Sequence, residues 1–127
     1  MGCAASSSRM PNHSTLVVWH RANAFSVAVH RAAQEFPARG APGLKAQLLR
    51  SVGSISANIA EGAGHETNAQ FAHFVTIAIG SANEAEAHLT LAQGLELLTA
   101  STGESLQDEL RQIRRMLFGL RKHLQQR

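Results

Sequence analysis

Aromatic residues and cysteine are scarce in this 127-residue sequence. It contains no tyrosine, one tryptophan and one cysteine, Cys3, and aromatic residues make up 5% of the chain. A single cysteine excludes an intrachain disulfide and suits a reducing compartment, so we expect a cytoplasmic protein. Apolar runs of about 18 residues or more do not occur, which predicts that no segment spans a membrane. Few aromatic residues beside many alanines, leucines, glutamines and glutamates favour helix over sheet.

The chain length predicts one folded domain behind a short leader. A chain of 127 residues is long enough for a single hydrophobic core and too short for two. Residues Met1–Ser14 are small and polar without any helical or strand periodicity, so we expect a disordered leader there. The domain then comprises residues 15–127.

Four segments have the periodicity of amphipathic helices. Apolar residues recur at steps of three and four from about Leu16 to Phe36 and from about Leu44 to Glu61. A long third helix follows, and after a short loop at Thr99–Gly103 a leucine stripe predicts a final helix over about Ser105–Gln125. We therefore predict an all-α protein that forms an antiparallel up-down four-helix bundle.

The third helix carries apolar residues on two neighbouring faces. It should begin after Thr67, because Thr67 and Gln70 have the spacing of a capping box. The inner stripe is Phe71, Val75, Ala78, Ala82, Ala85, Leu89 and Ala92, and the outer stripe is Phe74, Ile77, Ser81, His88, Leu91, Leu95 and Leu98. Since a lone bundle readily covers only one of these stripes, the second indicates self-association. The mid-helix pair Gly80-Ser81 indicates that another backbone approaches closely there.

A polar stripe interrupts the otherwise apolar second helix. It consists of Arg50, Ser54, Asn58 and Glu61, which succeed one another at about one turn, opposite a core-facing stripe of Val52, Ile55 and Ile59. Gly62 follows at the end of the helix, where glycine is favoured. We interpret the polar residues as partners of neighbouring helices or of a second subunit, and a ligand or nucleic-acid role is the alternative.

The sequence around this polar stripe resembles a known bacterial family. The segment SISANIAEGAG is preceded by QLLRS and followed by QFAHFVTIAIGSANEAEAHL. This pattern resembles the four-helix-bundle proteins encoded by intervening sequences in 23S ribosomal RNA genes, and the resemblance runs from about Leu16 to the last helix. The sequence departs from the family at Ser56, which is often a proline, and at His65, which is usually Arg or Lys.

The resemblance implies an assembly and a partner. The related accessory variability proteins of diversity-generating retroelements share the fold, and the family implies a homopentameric barrel of helical bundles with RNA, DNA or a reverse transcriptase as its partner. On this basis we expect a structural or subunit-interface motif, formed by Arg50, Ser54, Asn58, Glu61, Gly62, Gly80, Ser81 and Glu84.

The positive charge of the chain is concentrated in the final helix. From Ser105 onward, six of the twelve basic residues stand against two of the nine acidic ones, giving a net charge of +4, whereas the rest of the chain carries −1. The helix dipole accounts for the basic residues of the last turn only. A solvated face is one interpretation and an anionic partner is the other. In the second case the nucleic-acid-binding residues are Arg111, Arg114, Arg115, Arg121 and Lys122.

No motif for catalysis or metal binding can be recognised. Di-iron bundles use Glu-x-x-His, whereas here Glu and His stand four residues apart, and no nucleophile motif occurs. We predict no metal, no cofactor and no enzyme. The expected function is that of an oligomer that binds nucleic acid without sequence preference, or that assists a nucleic-acid enzyme such as a reverse transcriptase. A protein-interaction scaffold and a metal-dependent enzyme are the alternatives.

Overall fold

Four helices arranged in a ring form the structure. The computed structural model describes residues 13–37 and 41–126. The helices are α1 (His13–Ala33), α2 (Pro42–Ala63), α3 (Asn68–Gly94) and α4 (Ala100–Gln125). Each helix packs against its neighbours in the chain, and α4 returns to pack against α1. Because short connections reverse the chain direction each time, the predicted up-down four-helix bundle is confirmed.

The predicted apolar stripes meet in one core. The core-facing stripe of α2 and the inner stripe of α3 are buried throughout. The stripe of α4 is buried as well, and it consists of Leu106, Leu110, Ile113, Leu117, Leu120 and Leu124. With these residues inside, the opposite face of α4 is left for polar and charged side chains. None of the helices in the described part of the chain is both long and apolar enough to cross a membrane.

Helix α1 differs from its predicted bounds at both ends. It includes His13 and Ser14, which we assigned to the leader, because the first turn packs onto the bundle through the buried Thr15. The remainder of the predicted leader, residues 1–12, lies outside the described part. At the other end the helix stops at Ala33 and tightens into a turn, in which the amide of Phe36 donates to the carbonyl of Ala33. Pro37 explains this stop, since the residue before a proline disfavours helical backbone angles.

Helix α4 begins earlier than predicted. The expected loop at Thr99–Gly103 is wrong, because Ala100 already starts the helix. The Thr99 hydroxyl accepts a hydrogen bond from the amide of Thr102 at 3.1 Å and caps the first turn. Gly103 then lies inside the helix and is buried against the side chain of Gln93, so its role is close packing rather than termination.

Helix α3 begins as predicted and ends early. At its start both hydrogen bonds of the capping box between Thr67 and Gln70 are present, at 3.1 and 3.2 Å. At its end the helix stops at Gly94, and Glu96 adopts a positive φ of 59° that reverses the chain. The last two members of the predicted outer stripe, Leu95 and Leu98, therefore lie in the connection to α4 and not on the helix.

Candidate nucleic-acid interface

The exposed side of α4 carries a row of cations, which we call the basic face. Its members are the five predicted residues Arg111, Arg114, Arg115, Arg121 and Lys122. Arg111, Arg115 and Lys122 are exposed and lie four and seven residues apart, so they share one line along the helix. Arg114 and Arg121 are half-buried and lie on the flank that meets α3. The basic face therefore has two parts, an exposed line of three cations and a half-buried flank of two cations beside α3.

Two of these cations are engaged within the chain. Arg111 forms an ion pair with Asp108 one turn earlier on α4. Arg114 reaches across to α3, where it donates to Glu86 Oε1 at 2.5 Å and to Asn83 Oδ1 at 3.2 Å. Their charges are partly neutralised by these carboxylates, so both attract an outside anion less strongly than an unpaired cation does.

The other three cations have no acidic partner among the residues that the structure describes. The Arg121 guanidinium donates to the Thr76 hydroxyl at 3.3 Å and lies 5.0 Å from the ring centroid of Phe118. Arg115 and Lys122 are exposed, and neither forms a hydrogen bond or an ion pair within residues 13–37 and 41–126. Arg115 and Lys122 are therefore the members of the basic face that are most available to an anionic ligand.

An ion pair between α1 and α4 involves an arginine that we did not single out from the sequence. Arg21 donates to both carboxylate oxygens of Glu109, at 2.7 and 3.0 Å, and to Gln112 Oε1 at 2.8 Å. Hydrogen bonding to Glu109 is the main cause that raises the pKa of Arg21 above its ordinary range. Both side chains are about one third exposed, so the pair fixes the contact between the helices more than it stabilises the fold.

Two of the four residues in the polar stripe of α2, Ser54 and Asn58, form hydrogen bonds inside the chain. The hydroxyls of Ser54 and Ser81 are 2.8 Å apart, which ties α2 to the middle of α3. The Asn58 side-chain amide donates to the carbonyl of Ser54 at 2.8 Å and to its hydroxyl at 2.9 Å. The contact of Ser54 with Ser81 joins two helices, whereas Asn58 bonds within α2, so a role of the whole stripe in helix pairing stays a prediction.

The charged residues of the expected interface motif do not reach neighbouring helices. Oε2 of Glu61 lies 3.4 Å from Nε2 of His65, four residues later in the chain. Oε2 of Glu84 lies 3.5 Å from Nε2 of His88 at the same spacing. His65 also stacks on the ring of Phe74, with centroids 4.8 Å apart. Arg50 is exposed and has no ion pair in the described part of the chain. Arg50, Glu61 and Glu84 are exposed and can still contact groups outside the chain.

The two glycines of the motif have opposite surroundings. Gly62 is buried, and a Cβ atom there would lie 2.7 Å from Cβ of Phe74 and 2.8 Å from Cδ1 of Phe71. Gly80 is exposed, and apart from its chain neighbours and its own helix backbone no described atom lies within 4 Å of its Cβ position. Within the described residues, close approach therefore occurs at Gly62 at the end of α2 and not at Gly80.

Gly62→Ala should destabilise the fold because its methyl group cannot be accommodated without moving Phe74. We expect a loss of about 1–3 kcal/mol in the free energy of unfolding. The matched control is Gly119→Ala in α4, where the Cβ position is open. That variant should gain about 0.5–1 kcal/mol from helix propensity. Urea unfolding of both variants tests this, and equal stabilities would show that the helices do not pack closely at Gly62.

An exposed aromatic residue on the basic face was also missed by the sequence prediction. Phe118 is 45% exposed, whereas the five predicted residues of this face are all charged. The signal that could have revealed it is its place outside the leucine stripe, with basic residues three and four positions away on both sides.

Both the sequence and the structure of this chain match known proteins. Residues 14–119 match the sequence profile of the 23S rRNA-intervening sequence protein. A solved structure with the same arrangement, described as a protein of unknown function from the S23 ribosomal protein family of Bacteroides thetaiotaomicron, superimposes with a TM-score of 0.77 at 27% identity. The match covers 86% of this chain and 98% of the other. None of the curated proteins matches the sequence.

Proposed function

Because this chain belongs to the family of 23S rRNA-intervening sequence proteins, we propose that it is a non-enzymatic, cytoplasmic oligomer that binds nucleic acid without sequence preference. The observation that carries this proposal is the availability of Arg115 and Lys122 on the exposed side of α4. Long side chains with unpaired charges on a rigid helix suit the phosphate backbone, which is a regular array of negative charge.

The charge pattern along α4 supports a phosphate ligand. Residues 111–122 contain five cations and no acid. Contacts to phosphate hold a nucleic acid in place but do not read its sequence. Arginine and lysine can also contact guanine, but no base-reading motif can be recognised in the sequence of α4 beside these cations. Binding that is independent of sequence follows from this composition.

Self-association would increase the affinity of the protein for nucleic acid, because several basic faces would bind the same ligand. The outer stripe of α3 has exposed apolar members, among them Ile77, Leu91 and, just beyond the helix, Leu95, which are 39%, 52% and 53% exposed. Gly80 lies between the first two and leaves room for a neighbouring molecule. We propose that this surface joins subunits into the pentamer that the family resemblance implies. Each subunit then adds one basic face to a shared ligand.

A protein-interaction scaffold is the second candidate. It is favoured by Leu91 and Leu95, which are the most exposed large apolar residues of the described chain and could bind a partner protein such as a reverse transcriptase. A nucleic-acid-binding protein should bind nucleic acid in the absence of other proteins, whereas a protein-interaction scaffold should not.

The proposal is tested by titrating the whole protein into fluorescently labelled oligonucleotides and measuring anisotropy. Two duplexes and two single strands of about 20 nucleotides, unrelated in sequence, should all bind at low salt. Affinities within each pair should agree within about threefold, because phosphates are the same in every sequence. Absence of binding to all four at about 50 mM salt would overturn the proposal and favour the scaffold.

A further inference from the structure

Phe118 is an exposed ring in the middle of the basic face. In the described chain the other large apolar residues with comparable exposure are aliphatic, namely Leu16, Val27, Ile77, Leu91 and Leu95. Gly119 follows Phe118, and beyond its chain neighbours and its own helix backbone no described atom lies within 4 Å of its Cβ position, so this surface is open. Phe118 is thus the one exposed phenylalanine of the described residues, and its ring lies outside the buried core.

Cations surround this ring on every side along the helix. The residues three and four positions before it are Arg115 and Arg114, and those three and four positions after it are Arg121 and Lys122. Residues at these spacings are nearest neighbours on a helix surface. The Arg121 guanidinium lies 5.0 Å from the ring centroid, within the range of a cation–π contact. An aromatic ring therefore stands among four basic positions, of which Arg114 alone forms an ion pair within the described residues.

Unpaired bases offer the chemistry that fits this arrangement. Proteins that bind single strands combine cations that follow the phosphates with aromatic side chains on which bases stack. In a duplex the faces of the bases are covered by their neighbours, so a surface ring gains nothing from them. A purely anionic ligand such as a duplex backbone would use the cations but would leave Phe118 exposed to water.

We propose that Phe118 is a stacking platform for an unpaired base of single-stranded nucleic acid, whose adjacent phosphates bind Arg115 and Lys122. This inference rests on the proposed function and narrows its ligand from nucleic acid in general to single strands. One platform in each subunit gives a preference for unpaired strands without a preference for sequence, because every base has a face that can stack.

The test compares Phe118 variants on strands that differ only in their bases. The whole protein is titrated with oligothymidylate of about 20 nucleotides, with an abasic strand of the same length and with a duplex. Phe118→Ala and Phe118→Leu should each weaken binding of oligothymidylate by about 5- to 150-fold, the range that corresponds to about 1–3 kcal/mol of stacking. Binding of the abasic strand and of the duplex should change by about twofold at most, since these ligands present no free base.

Two further variants and one further strand complete the experiment. Phe118→Trp should bind oligothymidylate at least as well as the parent, because tryptophan also stacks, and Val27→Ala, an exposed apolar residue of α1, should have no effect. Oligouridylate should show the same loss, and the strand that the parent prefers identifies DNA or RNA as the ligand. Light scattering of each variant measures the mass of the assembly, which should not change.

The outcomes separate this inference from the proposed function. If the parent binds none of the ligands, both fail. If the parent binds the duplex and the abasic strand as tightly as oligothymidylate, or if Phe118→Leu retains the parent's affinity, the stacking platform is wrong and the sequence-independent binding stands. If the Phe118 variants lose affinity only because the assembly dissociates, Phe118 is a subunit contact, and the inference is overturned as well.

Discussion

The double variant Arg115→Gln/Lys122→Gln is expected to bind duplex and single-stranded nucleic acid roughly 10- to 100-fold more weakly than the parent at about 0.1 M salt. These are the two cations of the basic face without a partner in the described chain, so each is free to replace a counterion at a phosphate. Glutamine keeps the helix propensity of the replaced residues and the buried leucine stripe, so folding should be unaffected. Anisotropy titrations at fixed salt measure the effect.

A matched control removes the same charge elsewhere. Arg31→Gln/Lys45→Gln lowers the net charge equally, but Arg31 lies on α1 and Lys45 on α2. If binding depends on the position of the charges, this control should lose about threefold or less, through the weaker field of the whole molecule. Equal losses in the two double variants would mean that the basic face is only a solvated surface.

Replacing Ile77 and Leu91 together by glutamate is expected to dissociate the protein into single chains. Both residues are exposed on the outer side of α3, where a second subunit would cover them. Charges placed in a subunit contact lose their hydration without gaining a partner, whereas the same charges on an isolated chain stay in water. Light scattering should give about five times 13.6 kDa for the parent pentamer and about 13.6 kDa for the variant.

The control for assembly is an exposed apolar residue on another helix. Val27→Glu on α1 introduces a similar charge at a position that is 42% exposed. It should leave the mass of the assembly unchanged if α3 supplies the contact. A parent mass of 13.6 kDa at micromolar concentration would show that the outer stripe is simply an exposed surface and that the protein has no pentameric state.

The helices could be predicted because burial imposes a simple period on the sequence. Leu106, Leu110 and Ile113 repeat at three and four residues, and the structure buries all three. The start of α4 was misplaced because we expected a loop at Thr99–Gly103, whereas Gly103 lies inside the helix and its missing side chain makes room for Gln93 of α3. Because that contact joins residues of different helices, it cannot be predicted from the local spacing of residues in the sequence.

The composition of the basic face was predictable, but its available charges were not. The pair of Arg111 with Asp108 spans three residues and follows from helix geometry. The pair of Arg114 with Glu86 spans 28 residues and depends on how α3 and α4 are placed side by side. Phe118 was missed because one aromatic residue between basic positions forms no recognisable motif, although a ring among cations has the chemistry of a stacking site.

The salt dependence of duplex binding tests most directly whether the basic face is a phosphate-binding surface. For the parent protein the affinity for a duplex should fall roughly 10³-fold or more between about 50 and 200 mM salt if about six phosphates are engaged across the assembly. The slope for Arg115→Gln/Lys122→Gln should be shallower, by about 0.9 for each phosphate contact that is lost. An affinity that stays constant over this range, or a double variant with the slope of the parent, would contradict the account.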